Sequence, residues 1–258
     1  MGLRKIFSLL AMNQRGMSFA INKKRKLLSR ELSERMSNTV KYGPFASMIF
    51  CEENWWGAAD RGSMLLGIYE EELLNSIMTV PNNYRVFIDL GAADGYYSVG
   101  ALVSQKFQKS YSFEISAIGR DVIKKNANLN RVSNKLHIFG EATKSFYKNI
   151  PKSDLNSAVI LIDIEGAEFS LLNRGLFGNL KKSIIFIELH DWFFEDGEKK
   201  MAKLMSDAKP FFKISKLTTT SRDLSKFPEL FDLPDSERWL IASEGRSKLM
   251  TWLRLDPR

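Results

Sequence analysis

The stretch RVFIDLGAADGYYS, residues 85–98, decides how this chain is read. Val86, Phe87, Ile88 and Leu90 form a short apolar run with β-branched members, as suits a strand buried on both faces of a parallel sheet. The run stops at Gly91. Glycine there and at Gly95 lets the backbone turn sharply and lets a ligand approach without a Cβ in the way, and YYSVGALVSQKF then resumes at helical spacing. A strand, a glycine turn and a helix predict a nucleotide cradle.

Working outward, SYSFEIS (110–116) reads as a second strand ending in Glu114, about twenty residues past the turn. Folds that bind nucleosides keep a ribose-binding carboxylate at that distance. The turn is G-x-x-x-G, not the compact G-x-G-x-x-G of dinucleotide sites. Two further strands end in acids: AVILIDIEGAE (158–168) delivers Asp163, Glu165 and Glu168, and SIIFIELHDW (183–192) delivers Glu188, His190 and Asp191. In a parallel sheet the carboxyl ends of strands form the ligand edge. Acids near a helix start also stabilise it through the exposed N–H groups, which is explanation enough for Glu168.

Taken together, FIDLGAADGYYS, FEIS with Asn126 and Asn130 beyond it, LIDIEGAEFSLL and FIELH resemble the FkbM-type S-adenosylmethionine-dependent methyltransferases over about residues 84–192. Two positions depart from the family's usual pattern, Ile115 in place of proline and Leu161 in place of lysine, and neither removes a glycine or a carboxylate. The resemblance implies an α/β, Rossmann-like class I methyltransferase fold: a mostly parallel seven-stranded sheet with an antiparallel C-terminal strand and helices on both faces. It further implies that Asp89, Gly91, Ala92, Asp94 and Gly95 hold the amino-acid end of S-adenosyl-L-methionine. Glu114 would take its ribose, Glu141 and Ala142 its adenine, and Tyr69 and Glu70 would lie near its methionine end, with Asp163 at the same edge. The implied reaction is O-methylation of a sugar or other small-molecule acceptor, in polysaccharide or secondary-metabolite assembly. No motif for amino-group methylation follows the fourth strand.

For the acceptor side, His190 is the expected general base, because imidazole titrates near working pH. Asp163 with Glu188 and His190 is the alternative, holding a divalent metal such as magnesium that lowers the pKa of a hydroxyl. Two rival readings are a non-catalytic methyltransferase-like module and an NAD-dependent oxidoreductase. The latter is disfavoured by the missing fingerprint and by DIEGAE.

The 258 residues suffice for one substantial core. The division expected is a basic helical extension and lid over 1–80 and a Rossmann-like domain over 81–258. A single cysteine, Cys51, excludes an intramolecular disulfide and suits a reducing, cytoplasmic setting. The net charge of +8 is unevenly spread: residues 1–45 carry ten basic side chains against Glu31 and Glu34, which leaves the rest of the chain neutral. Such a basic arm suits an anionic membrane surface, a nucleic acid or an acidic partner, and equally a solvated helix. MGLRKIFSLLAM at the start is too short and too poorly followed for a signal peptide, and Ile6 fails the myristoylation pattern. No apolar run approaches the roughly 20 residues of a membrane span.

Elsewhere, an amphipathic helix is predicted over Met17 to Met36, a helix over Met64 to Ile77, a third strand at KLHIFG (135–140), and a helix from about Gly197 to Ala208. Adjacent Trp55 and Trp56 point to different sides, and one of them is a candidate pocket wall. FFKISKLTT and RWLIASE are predicted as two strands joined by a loop over 221–237.

Overall fold

The computed structural model describes residues 14–246 and 248–258. The basic and apolar start read above therefore lies outside the described residues. Seven strands, β1 (Val86–Leu90), β2 (Lys109–Phe113), β3 (Leu136–Phe139), β4 (Ala158–Ile162), β5 (Ile184–Glu188), β6 (Phe212–Thr218) and β7 (Thr251–Pro257), form one sheet in the order β3-β2-β1-β4-β5-β7-β6. The first five run parallel, and β7 is antiparallel to both neighbours. This is the Rossmann-like class I methyltransferase sheet that the resemblance implies.

The central strands β1, β4 and β5 are buried at every residue, which is why their sequences are apolar apart from Asp89 and Glu188. Alternation sorts them between two cores. Val86, Ile88 and Leu90 join Ile160, Ile185 and Leu253 under the helices between Leu171 and Ala208. Phe87, Val159, Leu161 and Phe186 pack on the opposite face with Leu73, Ile77 and Ala101.

The helices, numbered in chain order, begin with α1 (Gln14–Arg35), α2 (Arg61–Leu65) and α3 (Glu71–Met78), followed by α4 (Tyr96–Val103) and α5 (Ala117–Leu129). Leu28, Leu32, Phe45, Met48 and Phe50 share a core with Tyr96, Val99 and Ile123, so the extension packs into the body. Asn126 accepts from the Cys51 N–H at 2.7 Å and donates to the Asp94 carbonyl at 2.8 Å, and Asn130 pairs with both backbone groups of Ile49. Those two asparagines of the motif are thus stitches between the extension and α5.

Two expectations are corrected. Met64 to Ile77 is not one helix: α2 ends before Gly67, and α3 starts only after Glu70, whose φ of +48° breaks the helical path. RWLIASE is not a strand either. It belongs to a helix, Asp235–Ala242, that begins after Pro234 with Asp235 and Glu237 in its first turn. The partner of β6 is instead TWLRLDP, which is β7. Its buried Trp252, Leu253 and Leu255 complete the sheet between β5 and β6.

Candidate cofactor and acceptor site

Register fixes the site. Leu90 lies beside Phe113 and Ile162, and Ile162 beside Ile187, so the next residues, Gly91, Glu114, Asp163 and Glu188, emerge side by side from the carboxyl edge. The chain order reverses between β1 and β4, the place where open α/β sheets open a ligand crevice. A cavity of about 340 Å³ sits there. Of the residues expected from sequence, Tyr69, Asp89, Gly91, Ala92, Asp94, Glu114, Glu141, Ala142 and Asp163 line it, joined by Trp55, Trp56, Tyr96 and Glu165. Gly95, Glu70, Glu188 and His190 are not among its walls.

At one end, Glu114 ties the turn to β2. One carboxylate oxygen accepts the Ala93 N–H at 2.9 Å and the other accepts the Ser116 N–H at 2.7 Å. Each oxygen keeps a lone pair for a ligand hydroxyl. Asp89 is 2 % exposed and takes the Ser98 hydroxyl at 2.5 Å. Burial lifts its pKa to about 7 against the pull of that hydrogen bond. Asp94 proves to be a positioning group. Its Oδ1 accepts the backbone N–H groups of both Trp55 and Trp56, at 2.9 and 3.0 Å, and so hangs the tryptophan pair over the cavity.

Both glycines make the sharp turn expected of them, with positive φ, and they also make room for the protein's own chain. Gly91 has φ +92°, and a Cβ there would lie 1.7 Å from the Asp163 carbonyl oxygen. At Gly95, with φ +82°, it would meet Ile123. The missing Cβ atoms admit neighbouring chain, while the Gly91 backbone itself faces the cavity.

The other end is crowded with acids. Glu168, wholly buried, accepts from the Gly166 and His190 N–H groups at 2.9 and 3.0 Å, which locks the DIEGAE turn to the end of β5. The His190 Nε2 faces Glu165, Asp163 and Glu188 at 3.6, 3.8 and 3.9 Å, and its Nδ1 faces Glu168 at 3.3 Å. Burial pulls the imidazole pKa down, but Glu168 beside Nδ1 and the other surrounding carboxylates outweigh it, so the pKa is raised. Asp163 is pushed up to about 7 by burial and by the Glu70 and Glu165 charges. Its Oδ1 is buried with no hydrogen-bond partner among the described residues, and the same holds for the Tyr96 hydroxyl. Both residues belong to the cavity wall, and the Asp163 Oδ1 itself is turned inward, toward the His190 Nε2 at 3.8 Å.

Sequence reasoning missed Arg246. Its guanidinium contacts Glu70 and Glu188, and its Nε donates to Glu244 at 2.8 Å. Arg222 adds a second cation, bonded to Glu72 at 2.5 Å and Glu244 at 3.0 Å. Two guanidinium groups face Glu70, Glu72, Glu188 and Glu244, with Asp163 beside them, so protons are retained. Burial and the neighbouring acids hold Glu70 at about 8 and push Glu188 well above the carboxylate range. Tyr97 donates to Glu70 at 2.5 Å. Nothing in the local sequence around residue 246 marks this role.

No protein-family model matches the chain, and no curated protein matches it. Solved structures do resemble it. The Bacillus subtilis tRNA methyltransferase TrmK is 10% identical with a TM-score of 0.47, over 71% of this chain and 64% of that one. The precorrin-6y C5,15-methyltransferase from Geobacter metallireducens is 9% identical with a TM-score of 0.47, over 74% and 91%. The O-methyltransferase from Bacillus cereus, solved in complex with SAH, is 14% identical with a TM-score of 0.45, over 72% and 78%. The chain thus spans less than two thirds of the first of these. At such scores the reading of the site rests on its own residues.

Proposed function

We propose that the protein is an S-adenosylmethionine-dependent methyltransferase acting on a hydroxyl of a small-molecule acceptor, a sugar being the class that the FkbM resemblance implies. The observation that carries this is one cavity bounded by the Gly91 turn, the Glu114 carboxylate with its two spare lone pairs, the Glu141–Ala142 segment and Asp163. Its volume suits a nucleoside-sized ligand, and its donors and acceptors fit one with a ribose at the Glu114 end and an amino acid over the turn.

When bound, the cofactor supplies a methyl group already activated by the positive charge on its sulfur. The protein's share is orientation and proton removal. Glu114 accepts hydrogen bonds from the ribose hydroxyls, and Asp94 keeps Trp55 and Trp56 over the ligand. Asp163 faces the cavity and its pKa lies near working pH, so it is the group that takes the hydroxyl proton. His190, set behind it, is a positioning residue, which revises the expectation that the imidazole is itself the base.

One observation favours a second form of the acceptor chemistry. Asp163, Glu165 and His190 offer donor atoms that all lie within 4.8 Å of one another. The set differs from the one expected, because Glu188 is engaged by Arg246 and Glu165 takes its place. A nitrogen with two carboxylates suits manganese or iron better than magnesium.

Isothermal calorimetry with S-adenosylmethionine tests the core of the reading: one molecule bound per chain is expected, and absence of binding by folded protein sinks it. Turnover assays over sugar and nucleotide-sugar acceptors then separate an enzyme from a binding module. Asp163→Asn is expected to lower kcat by about 100-fold or more with cofactor affinity kept. Loss of turnover on chelation, restored by manganese, selects the metal form.

A further inference from the structure

We propose that the outward face of α1 is a docking surface for an anionic lipid bilayer, on which the protein lies peripherally. Nothing in this depends on the proposed chemistry. The helix rests on the body only in its second half, where Arg25, Leu28, Ser29, Leu32 and Ser33 are buried. Before that, every residue from Met17 to Lys23 is exposed. The exposed set includes Met17, Phe19 and Ile21 at 51 %, 72 % and 44 %, and Leu27 joins them at 38 % further along.

At about 100° per residue, Phe19, Lys23, Lys26, Leu27 and Arg30 fall on the side opposite the buried stripe. Lys23 and Lys26 have no ion pair among the described residues, and α1 as a whole carries seven basic side chains against two acidic ones. Apolar tips interleaved with lysines are the pattern that inserts at a lipid headgroup boundary while the ammonium groups meet anionic phosphates. A nucleic acid would use the same cations and the Phe19 ring, but Met17, Ile21 and Leu27 are aliphatic and give bases no aromatic face to stack on. The aliphatic exposure therefore favours lipid. Lys23, Lys26, Leu27 and Arg30 also line a groove, shared with Glu34 and Glu52, that runs on to Asn54 and Ala58, next to the tryptophan pair, so docking brings the cavity's Trp55–Trp56 wall toward the membrane.

Among the described residues no helix is long and apolar enough to cross a membrane, so this contact is one of surface binding. The test is co-sedimentation of the full chain with vesicles of phosphatidylglycerol in phosphatidylcholine, against phosphatidylcholine alone. Binding is expected only with the anionic lipid, falling on the order of 100-fold in K23Q/K26Q/R30Q and largely lost at about 0.5 M salt. F19S/L27S is expected to weaken it on the order of tenfold with the salt dependence kept. Because these side chains are exposed, both variants should melt like the parent, and circular dichroism checks that they fold. Equal binding to neutral vesicles overturns the proposal, as does full anionic binding by K23Q/K26Q/R30Q, which would shift the contact to residues 1–13. Lysine-dependent binding of single-stranded RNA with no binding to vesicles overturns it in favour of nucleic acid.

Discussion

The two ends of the cavity are built on opposite principles. At the Gly91 end, a carboxylate is satisfied by backbone N–H groups: Glu114 takes Ser116 two residues on and Ala93 in the glycine turn. At the Asp163 end, acids from residues 70, 163, 188 and 244 converge, and the cation that holds three of these four comes from residue 246. The first arrangement draws on main-chain donors alone. The second is long-range and keeps protons that free carboxyls would release. A site that binds a fixed cofactor needs only shape and lone pairs, whereas one that takes a proton needs carboxyls whose pKa values have been moved.

The sharpest way to break the contrast is Arg246→Met. Removing the cation leaves Glu70, Glu188 and Glu244 buried without it, and a loss of about 3–5 kcal/mol is expected. Chemical denaturation measures it, and a change under about 1 kcal/mol would mean that the clamp is ornamental. Next comes pH. Glu70 holds its proton up to about 8 in the folded chain but only to about 4.5 when unfolded, so the folded state binds the extra proton between those values. Its contribution is present in full below about 4.5 and lost as pH rises through about 8, on the order of 5 kcal/mol. The thermal midpoint should therefore fall from pH 5.5 to 8.5, with a flatter profile in Glu70→Gln.

At the Gly91 end the effects are smaller and of another kind. Glu114→Gln loses the charge and turns an NH2 toward one of the two backbone N–H groups, and should weaken cofactor binding by about 1.5–3 kcal/mol in calorimetry and stability by about 1–3 kcal/mol. Smallest is Asn130→Ala, which removes the paired bonds to Ile49. It should cost about 1 kcal/mol in denaturation, without any change in ligand affinity.

The same contrast governs what could be read from sequence. The strands β1 to β5, the turn and Glu114 are continuous patterns, each readable within its own short segment of the chain. The acid edge was half legible: its carboxylates stand at strand ends, but register alone decides that Glu165 rather than Glu188 faces the cavity beside Asp163. Arg246 lies in a segment with no pattern, and only the folded sheet brings it under β5. RWLIASE misled because a short apolar run has no helical or strand period of its own. Pro234 and the acids after it were the signal for a helix. The glycines were found for an incomplete reason, since what fills the space at Gly91 is the backbone of a strand that is distant in sequence.

The position of β7 carries one more consequence. The last strand of the chain is inserted between two earlier ones, so β5 and β6 have no shared partner until residues 251–257 have left the ribosome. Until then the growing polypeptide leaves β5 and β6 unpaired on that side, and the guanidinium that holds the acids has only just been made. Such a molecule becomes functional only once β7 has been added, and its nascent forms are the ones most in need of a chaperone.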